Sequence, residues 1–164
     1  MATIISPSLL AANFLNLNDD INMINQSEAD WLHLDIMDGI FVPNISFGFP
    51  VIEALAQKLR KPMDVHFMII HPEKYIERVA KLGAMMMNIH VEACGENTKS
   101  ILSDIHAAGM KAAITVSPDT AISSVRDYLA DVEMVLVMGV HPGFGGQKFI
   151  EATYRRLSAV KEEI

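Results

Sequence analysis

The sequence predicts an α/β protein built on a parallel sheet. Three observations carry this reading. Short apolar runs alternate with segments of helical period six times along the chain. The connections between them are short, which suits parallel strands joined by crossover helices. The chain has 164 residues and 51% of them are hydrophobic, enough for one domain with a substantial core.

Each element has its own signal. Residues 3–5 form an apolar run stopped by Ser6-Pro7-Ser8, a first strand. Phe14, Leu17, Ile21 and Ile24 recur at helical spacing, so a helix is expected over 14–26. Residues 31–37 read as a second strand, and Asp38-Gly39 opens a long loop through Pro43 and Gly48. Pro50 suits the first turn of a helix running to Leu59. Residues 63–68 form a third strand, and a helix over 72–81 is stopped by Gly83. A fourth strand spans 85–90, followed by a helix over 97–108 that ends at Gly109. A fifth strand, 111–116, is closed by Ser117-Pro118, and a helix follows over 121–129. A sixth strand, 134–140, leads into the glycine-rich loop His141-Pro142-Gly143-Phe144-Gly145-Gly146-Gln147, with a helix from Lys148 to the end.

Two architectures compete for this pattern. In a doubly wound sheet the phosphate loop follows the first strand. Here the glycine-rich loop follows the sixth, and polar residues sit at the C-terminal ends of several strands, as in barrels. The expected fold is therefore a parallel (β/α) barrel of the TIM type, a single domain over 1–164. Eight βα units typically need about 250 residues. Six are read here, so the barrel is expected to be C-terminally incomplete.

Composition narrows the partners. The net charge is −7 with no Lys/Arg cluster, which argues against nucleic acid. No apolar run approaches the roughly 20 residues of a membrane helix. Met1-Ala2-Thr3-Ile4-Ile5 has no basic region before an apolar stretch, so no signal peptide is expected. Cys94 is the only cysteine, which fits a reducing cytoplasm, and reads as a small loop residue.

Chemistry concentrates on two strand ends. Alternate strand residues share a face. His33, Asp35 and Met37 therefore oppose Leu34 and Ile36, and Asp64, His66 and Met68 oppose Val65 and Phe67. Taken alone, His33 and Asp35 suit equally a metal pair or a His–Asp hydrogen bond at a polar strand end. If the two strands are neighbours, His33, Asp35 and His66 converge on one ion, a two-imidazole, one-carboxylate set of the kind found in open catalytic sites. Such donors suit Zn²⁺, with Fe²⁺, Mn²⁺ or Co²⁺ as further choices, one ion per subunit.

Other residues are weighed against blander readings. His90 shares a face with Asn88 and Glu92; it reads as a hydrogen-bonded interior residue or a rival ligand. His71 and His106 read as solvated. Met37, Met68 and Met138 sit near strand ends and are expected to face the mouth, whereas Met85 and Met87 fill core. Gly143, Gly145 and Gly146 let an anion approach backbone N–H groups, with the following helix adding its positive end.

Five segments together carry a resemblance: Ser6-Pro7-Ser8-Leu9-Leu10-Ala11-Ala12-Asn13-Phe14, His33-Leu34-Asp35-Ile36-Met37-Asp38-Gly39, Phe41-Val42-Pro43-Asn44, Asp64-Val65-His66-Phe67-Met68 and Pro142-Gly143-Phe144-Gly145-Gly146-Gln147. In order and over essentially the whole chain, they resemble the ribulose-phosphate 3-epimerase family. The resemblance implies a metal-dependent (β/α) barrel of the pentose phosphate pathway, cytoplasmic and homo-oligomeric. Its reaction interconverts ribulose 5-phosphate and xylulose 5-phosphate by proton abstraction at C3 through an enediolate. It further implies that His33, Asp35 and His66 ligate the metal and that Asp35 also carries a proton. Ser8 and His66 would touch substrate, with Met37, Met68 and Met138 flanking it. Gly143, Phe144, Gly145 and Gly146 would hold its phosphate.

The chain departs from the family pattern in two respects. Family members continue for two more strands, and the seventh carries a second catalytic aspartate, also the fourth metal ligand. The family also usually has Ser-Val-Asn where this chain has Gly139-Val140-His141. Two alternatives are kept: an epimerase for a hexulose phosphate such as allulose 6-phosphate, and an impaired fragment that only binds metal or phosphate. A decarboxylase on this scaffold would need a lysine at a strand end, and Lys111 opens its strand.

Overall fold

The computed structural model describes residues 3–164. Met1 and Ala2, part of the leader-free reading, lie outside the described residues. Five parallel strands make one sheet: β1 (Leu32–Met37), β2 (Met63–Met68), β3 (Met86–His90), β4 (Lys111–Val116) and β5 (Met134–Val137). Their order in space is their order in the chain. A doubly wound sheet reverses direction at a switch point. This sheet has none, which is the barrel-type order the sequence predicts.

Helices alternate with the strands: α1 (Leu17–Gln26), α2 (Phe49–Ala56), α3 (Ile76–Lys81), the short α4 (Val91–Cys94), α5 (Thr98–Ala107) and α6 (Thr153–Glu163). Pro50 falls in the first turn of α2, where a missing N–H costs nothing. Asp19 and Asp20 favour the N-terminal end of α1. Gly109 stops α5 in a left-handed conformation (φ +85°) that a side chain would strain. Among the described residues, no helix is long and apolar enough to cross a membrane.

The strand alternation divides the sheet into two faces. Leu34, Val65, Phe67, Met87, Ile89 and Ile114 are fully buried on the helix side. All but Ile114 pack with Ile21, Leu102 and Ile105 from α1 and α5, and Ile114 packs with Val116, Val125, Val137 and Val160. The concave face carries His33, Asp35, Asp64, His66, Asn88, His90 and Thr115. Asp64, His66, Asn88, His90 and Thr115 are buried. Burial of so many polar groups is tolerated only where they bond one another.

Four expectations are corrected. Residues 3–5 do not form a strand. Extended chain runs beside β1, with Ile5 O accepting from Asp30 N (2.8 Å) and Pro7 O from His33 N (2.9 Å). Pro7 has no N–H to return, so pairing shrinks to the single bridge Ser8–His33. The last strand stops at Val137, because Gly139 O turns to accept from Ile150 N (2.8 Å). That fold-back lays Phe149 against Gly139, where a Cβ would sit 2.9 Å from the ring, and delays α6 to Thr153. The helix expected over 121–129 is a 3₁₀ segment, Ile122–Asp131. Ser123, Ser124 and Asp127 are poor α-formers there.

The outward face predicts a measurable cost. Leu34→Ala removes a fully buried side chain between sheet and helices. Denaturant unfolding is expected to show about 2–5 kcal/mol lost stability.

Candidate metal centre and substrate face

The register of β1 on β2 builds the centre. His33 pairs with Asp64 and Asp35 with His66, all on the concave face. Asp35 Oδ1 stands 3.3 Å from His33 Nε2 and 3.0 Å from His66 Nδ1, and those two nitrogens are 3.4 Å apart. One donor atom from each of the three lies within 4.8 Å of the others. Two imidazole nitrogens and a carboxylate oxygen at one point suit a divalent metal ion, so the sequence-predicted ligands come together.

Each of the three is braced from behind, and the sequence reading assigned no such role to Asp64, Ser8 or Ser46. Asp64 Oδ2 lies 2.7 Å from His33 Nδ1, holding the ring so that Nε2 faces the centre. Asp64 is buried and on the same face as His66; that alternation was the available signal. Ser8 Oγ donates to Asp35 Oδ2 and accepts from Leu10 N (3.1 Å). Ser46 Oγ donates to Asp35 O (2.6 Å) and accepts from Met37 N (3.1 Å). His66 Nε2 meets His90 Nε2 at 2.9 Å. His90 is thus the interior hydrogen-bonding residue of the two readings offered, with Nδ1 3.1 Å from Glu92 Oε2.

The charges follow from this packing. Burial alone would depress His33, but hydrogen bonds with Asp35 and Asp64 outweigh it and raise its pKa to about 10. Burial pushes Asp35 up, yet His33 and His66 hold its carboxyl well below the usual range. Burial drives His66 down to about 4, against the pull of Asp35 and with the repulsion of His90 and His33. Burial is likewise overcome at Glu92 by bonds from His90, Thr120 and Ser117 N, leaving it at about 2.

Around the centre, Met37 and Met68 pack with Val42, Leu10 and Phe41 in a small apolar cluster. Met138 lies half-buried just past β5 and outside that cluster. The glycine-rich loop is tied to this edge by Asn44. Its Nδ2 donates to Gly143 O (2.8 Å) and approaches Met37 Sδ (3.6 Å). Gly143 is buried, with a Cβ position 3.5 Å from Val42 and Pro43. Phe144, Gly145 and Gly146 are exposed. Because α6 begins only at Thr153, its N-terminus does not open directly after the loop. Gln147 Nε2 donates instead to the carbonyls of His141 (2.6 Å) and Phe144 (2.9 Å). Asp38 joins the two strand-end loops, accepting from Ile40 N, Phe41 N and Ile70 N at 2.8 Å each. Lys111 opens β4, level with Met86, Asp64 and His33 across the sheet.

A sequential parallel sheet whose polar face gathers two histidines and an aspartate able to hold a divalent ion defines a (β/α) protein of the barrel class. The model of the ribulose-phosphate 3 epimerase family matches residues 4–164. A protein of Mycobacterium tuberculosis named ribulose-phosphate 3-epimerase is 43% identical over 161 residues, 98% of this chain and 69% of that protein. One of the same name from Bacillus subtilis is 40% identical over 157 residues, 96% of this chain and 72% of that protein. A rice relative, named as the cytoplasmic isoform, is 38% identical over 162 residues, 97% of this chain and 71% of that protein. The chain belongs to the ribulose-phosphate 3-epimerase family. Its fold is shared more widely. A tryptophan synthase α-subunit mutant from Pyrococcus furiosus superposes with TM-score 0.68 at 11% identity, covering 97% of this chain and 73% of that one. KGPDC from Streptococcus mutans gives TM-score 0.63 at 12% identity, over 82% and 64% respectively.

The raised pKa of His33 has a sign that can be tested. Metal-free His33 keeps its proton up to about pH 10, so a metal binding at pH 7 must displace it. Metal affinity is expected to rise with pH across the range below 10, with proton release visible as a buffer-dependent heat in calorimetry. Affinity independent of pH from 6 to 9 contradicts this assignment.

Proposed function

We propose that this chain acts as a metal-dependent epimerase that interconverts ribulose 5-phosphate and xylulose 5-phosphate. The observation that carries the reading is the convergence of His33, Asp35 and His66, with Asp35 held by Ser8, on one face of the paired strands β1 and β2. Its relatives' names supply the reaction.

His33 Nε2, His66 Nδ1 and Asp35 would hold the divalent ion, for which Zn²⁺ is our assignment. That ion would supply Lewis-acid stabilisation of the negative charge that develops on the sugar oxygens. The protein's own groups do the rest. The proton at C3, beside the ketone, is weakly acidic, and its removal leaves an enediolate. Asp35 removes or returns that proton on one face of the sugar. Its carboxyl is kept ionised by His33 and His66, and Ser8 fixes Oδ2. Inversion needs a second proton carrier on the opposite face, the role that the family resemblance gives to an aspartate of a seventh strand. Among the described residues the metal-capable group is His33, Asp35 and His66, and Asp64 is committed to His33. Ser8 and His66 contact the substrate, and the thioethers of Met37, Met68 and Met138 flank the planar intermediate without offering it a proton. Backbone N–H groups of Gly143, Phe144, Gly145 and Gly146 take the phosphate.

We further assign the chain to the cytoplasm, as the rice relative's name suggests, to a homo-oligomer, and to a single (β/α) domain.

The test uses the Zn²⁺-loaded chain with ribulose 5-phosphate in deuterated water. Deuterium is expected at C3, and Asp35→Asn is expected to reduce its incorporation by at least 100-fold. Absence of C3 exchange in a chain that binds stoichiometric Zn²⁺ contradicts the proposal. Replacing His33 or His66 by Ala should abolish stoichiometric metal uptake; retained uptake refutes the ligand assignment.

A further inference from the structure

The third strand contributes no ligand, yet it touches one. His66 and His90 meet edge to edge through their Nε2 atoms, 2.9 Å apart, with ring centroids 5.0 Å apart and planes 21° from parallel. One proton must sit between those two nitrogens. His90 Nδ1 faces Glu92 Oε2 at 3.1 Å, and Glu92 Oε1 accepts from Ser117 N at 2.8 Å. Ser117 Oγ also stands 3.3 Å from His90 Nδ1. Both His66 and His90 are fully buried, so no water competes for these contacts.

Proton bookkeeping along this chain has one solution that leaves His66 able to bind a cation. A carboxylate only accepts, so His90 must donate from Nδ1 to Glu92. Neutral His90 then presents a lone pair at Nε2. When an ion takes the place of the hydrogen bond between His66 Nδ1 and Asp35 Oδ1 (3.0 Å), His66 donates to His90 from its own Nε2, and its Nδ1 is left bare, 3.4 Å from His33 Nε2. We infer that His90 and Glu92 are positioning residues: through two hydrogen bonds, Glu92 on α4 dictates which nitrogen His66 turns to the metal centre. The inference rests on the metal assignment to His33, Asp35 and His66. It gives Glu92 a role that touches neither ion nor substrate.

Glu92→Gln inverts the end of the chain with little change of shape. The amide carbonyl keeps the bond from Ser117 N, and the NH₂ group turns toward His90 Nδ1 as a donor. His90 must then carry its proton on Nε2, His66 must accept there, and the proton of His66 moves to Nδ1, where it blocks the ligand position. The experiment measures Zn²⁺ affinity of the full chain against a chromophoric chelator, together with imidazole ¹⁵N shifts that report each tautomer. The expected result is a 10–100-fold weaker Zn²⁺ affinity in Glu92→Gln, with the His90 proton moved from Nδ1 to Nε2. A loss of less than tenfold, or a His90 proton that stays on Nδ1 in the variant, overturns the inference. If the variant does not fold, the wild-type Zn²⁺-loaded chain decides alone: His66 Nε2–H with His90 Nδ1–H supports the inference, and His90 Nε2–H overturns it. His33→Ala separates the two levels. Loss of Zn²⁺ binding there alongside normal binding in Glu92→Gln sinks only the relay. Intact binding in His33→Ala sinks the metal assignment and this inference with it.

Discussion

The parallel register of β1 on β2 is the constraint on which the centre depends. It sets His33 beside Asp64 and Asp35 beside His66. Strand side chains alternate, so a slip of one residue would turn the ligands toward the helices and Leu34 and Val65 toward the concave face. Both faces resist that slip. The helix side holds Leu34, Val65 and Phe67 in a dry core, and the concave side holds carboxylates between imidazoles. Apolar burial and polar satisfaction thus select the same register, the agreement between levels expected of a sequence that specifies one fold.

The polar face is more than a set of ligands. Asp64 lies behind His33, Ser8 and Ser46 secure Asp35 at its side chain and backbone, and His90 with Glu92 lies behind His66. Each brace comes from a different element, so four segments of chain converge to orient three side chains. Such preorganisation limits the motion a bound ion or sugar would otherwise have to freeze.

Strand bounds were legible where a short apolar-rich run is closed by clear breakers or an abrupt change of pattern. The bounds of 63–68 and 111–116 coincide with β2 and β4. The convergence of His33, Asp35 and His66 was legible because two neighbouring strands share the same alternation of polar and apolar residues. Residues 3–5 misled because apolarity alone cannot tell a paired strand from extended chain beside Pro7. The start of α6 was hidden because the delay comes from Phe149 packing on Gly139, a contact across ten residues that no local pattern announces. The braces escaped for a related reason. Sequence places Asp64, His90 and Glu92 on polar faces, but their bonds depend on strand neighbours and ring orientation, which only the folded chain fixes.

Family membership and fold carry different weight. Identity of about 40% with named epimerases extends across nearly the whole chain, while proteins at 11–12% identity share only the scaffold. The centre is therefore what must be tested. Anomalous diffraction at the zinc edge from crystals of the Zn²⁺-loaded chain tests it most directly. The account predicts one strong peak about 2.0–2.2 Å from His33 Nε2, His66 Nδ1 and an Asp35 oxygen. A peak held instead by His90 and Glu92, or by His71 and Glu73, would contradict it.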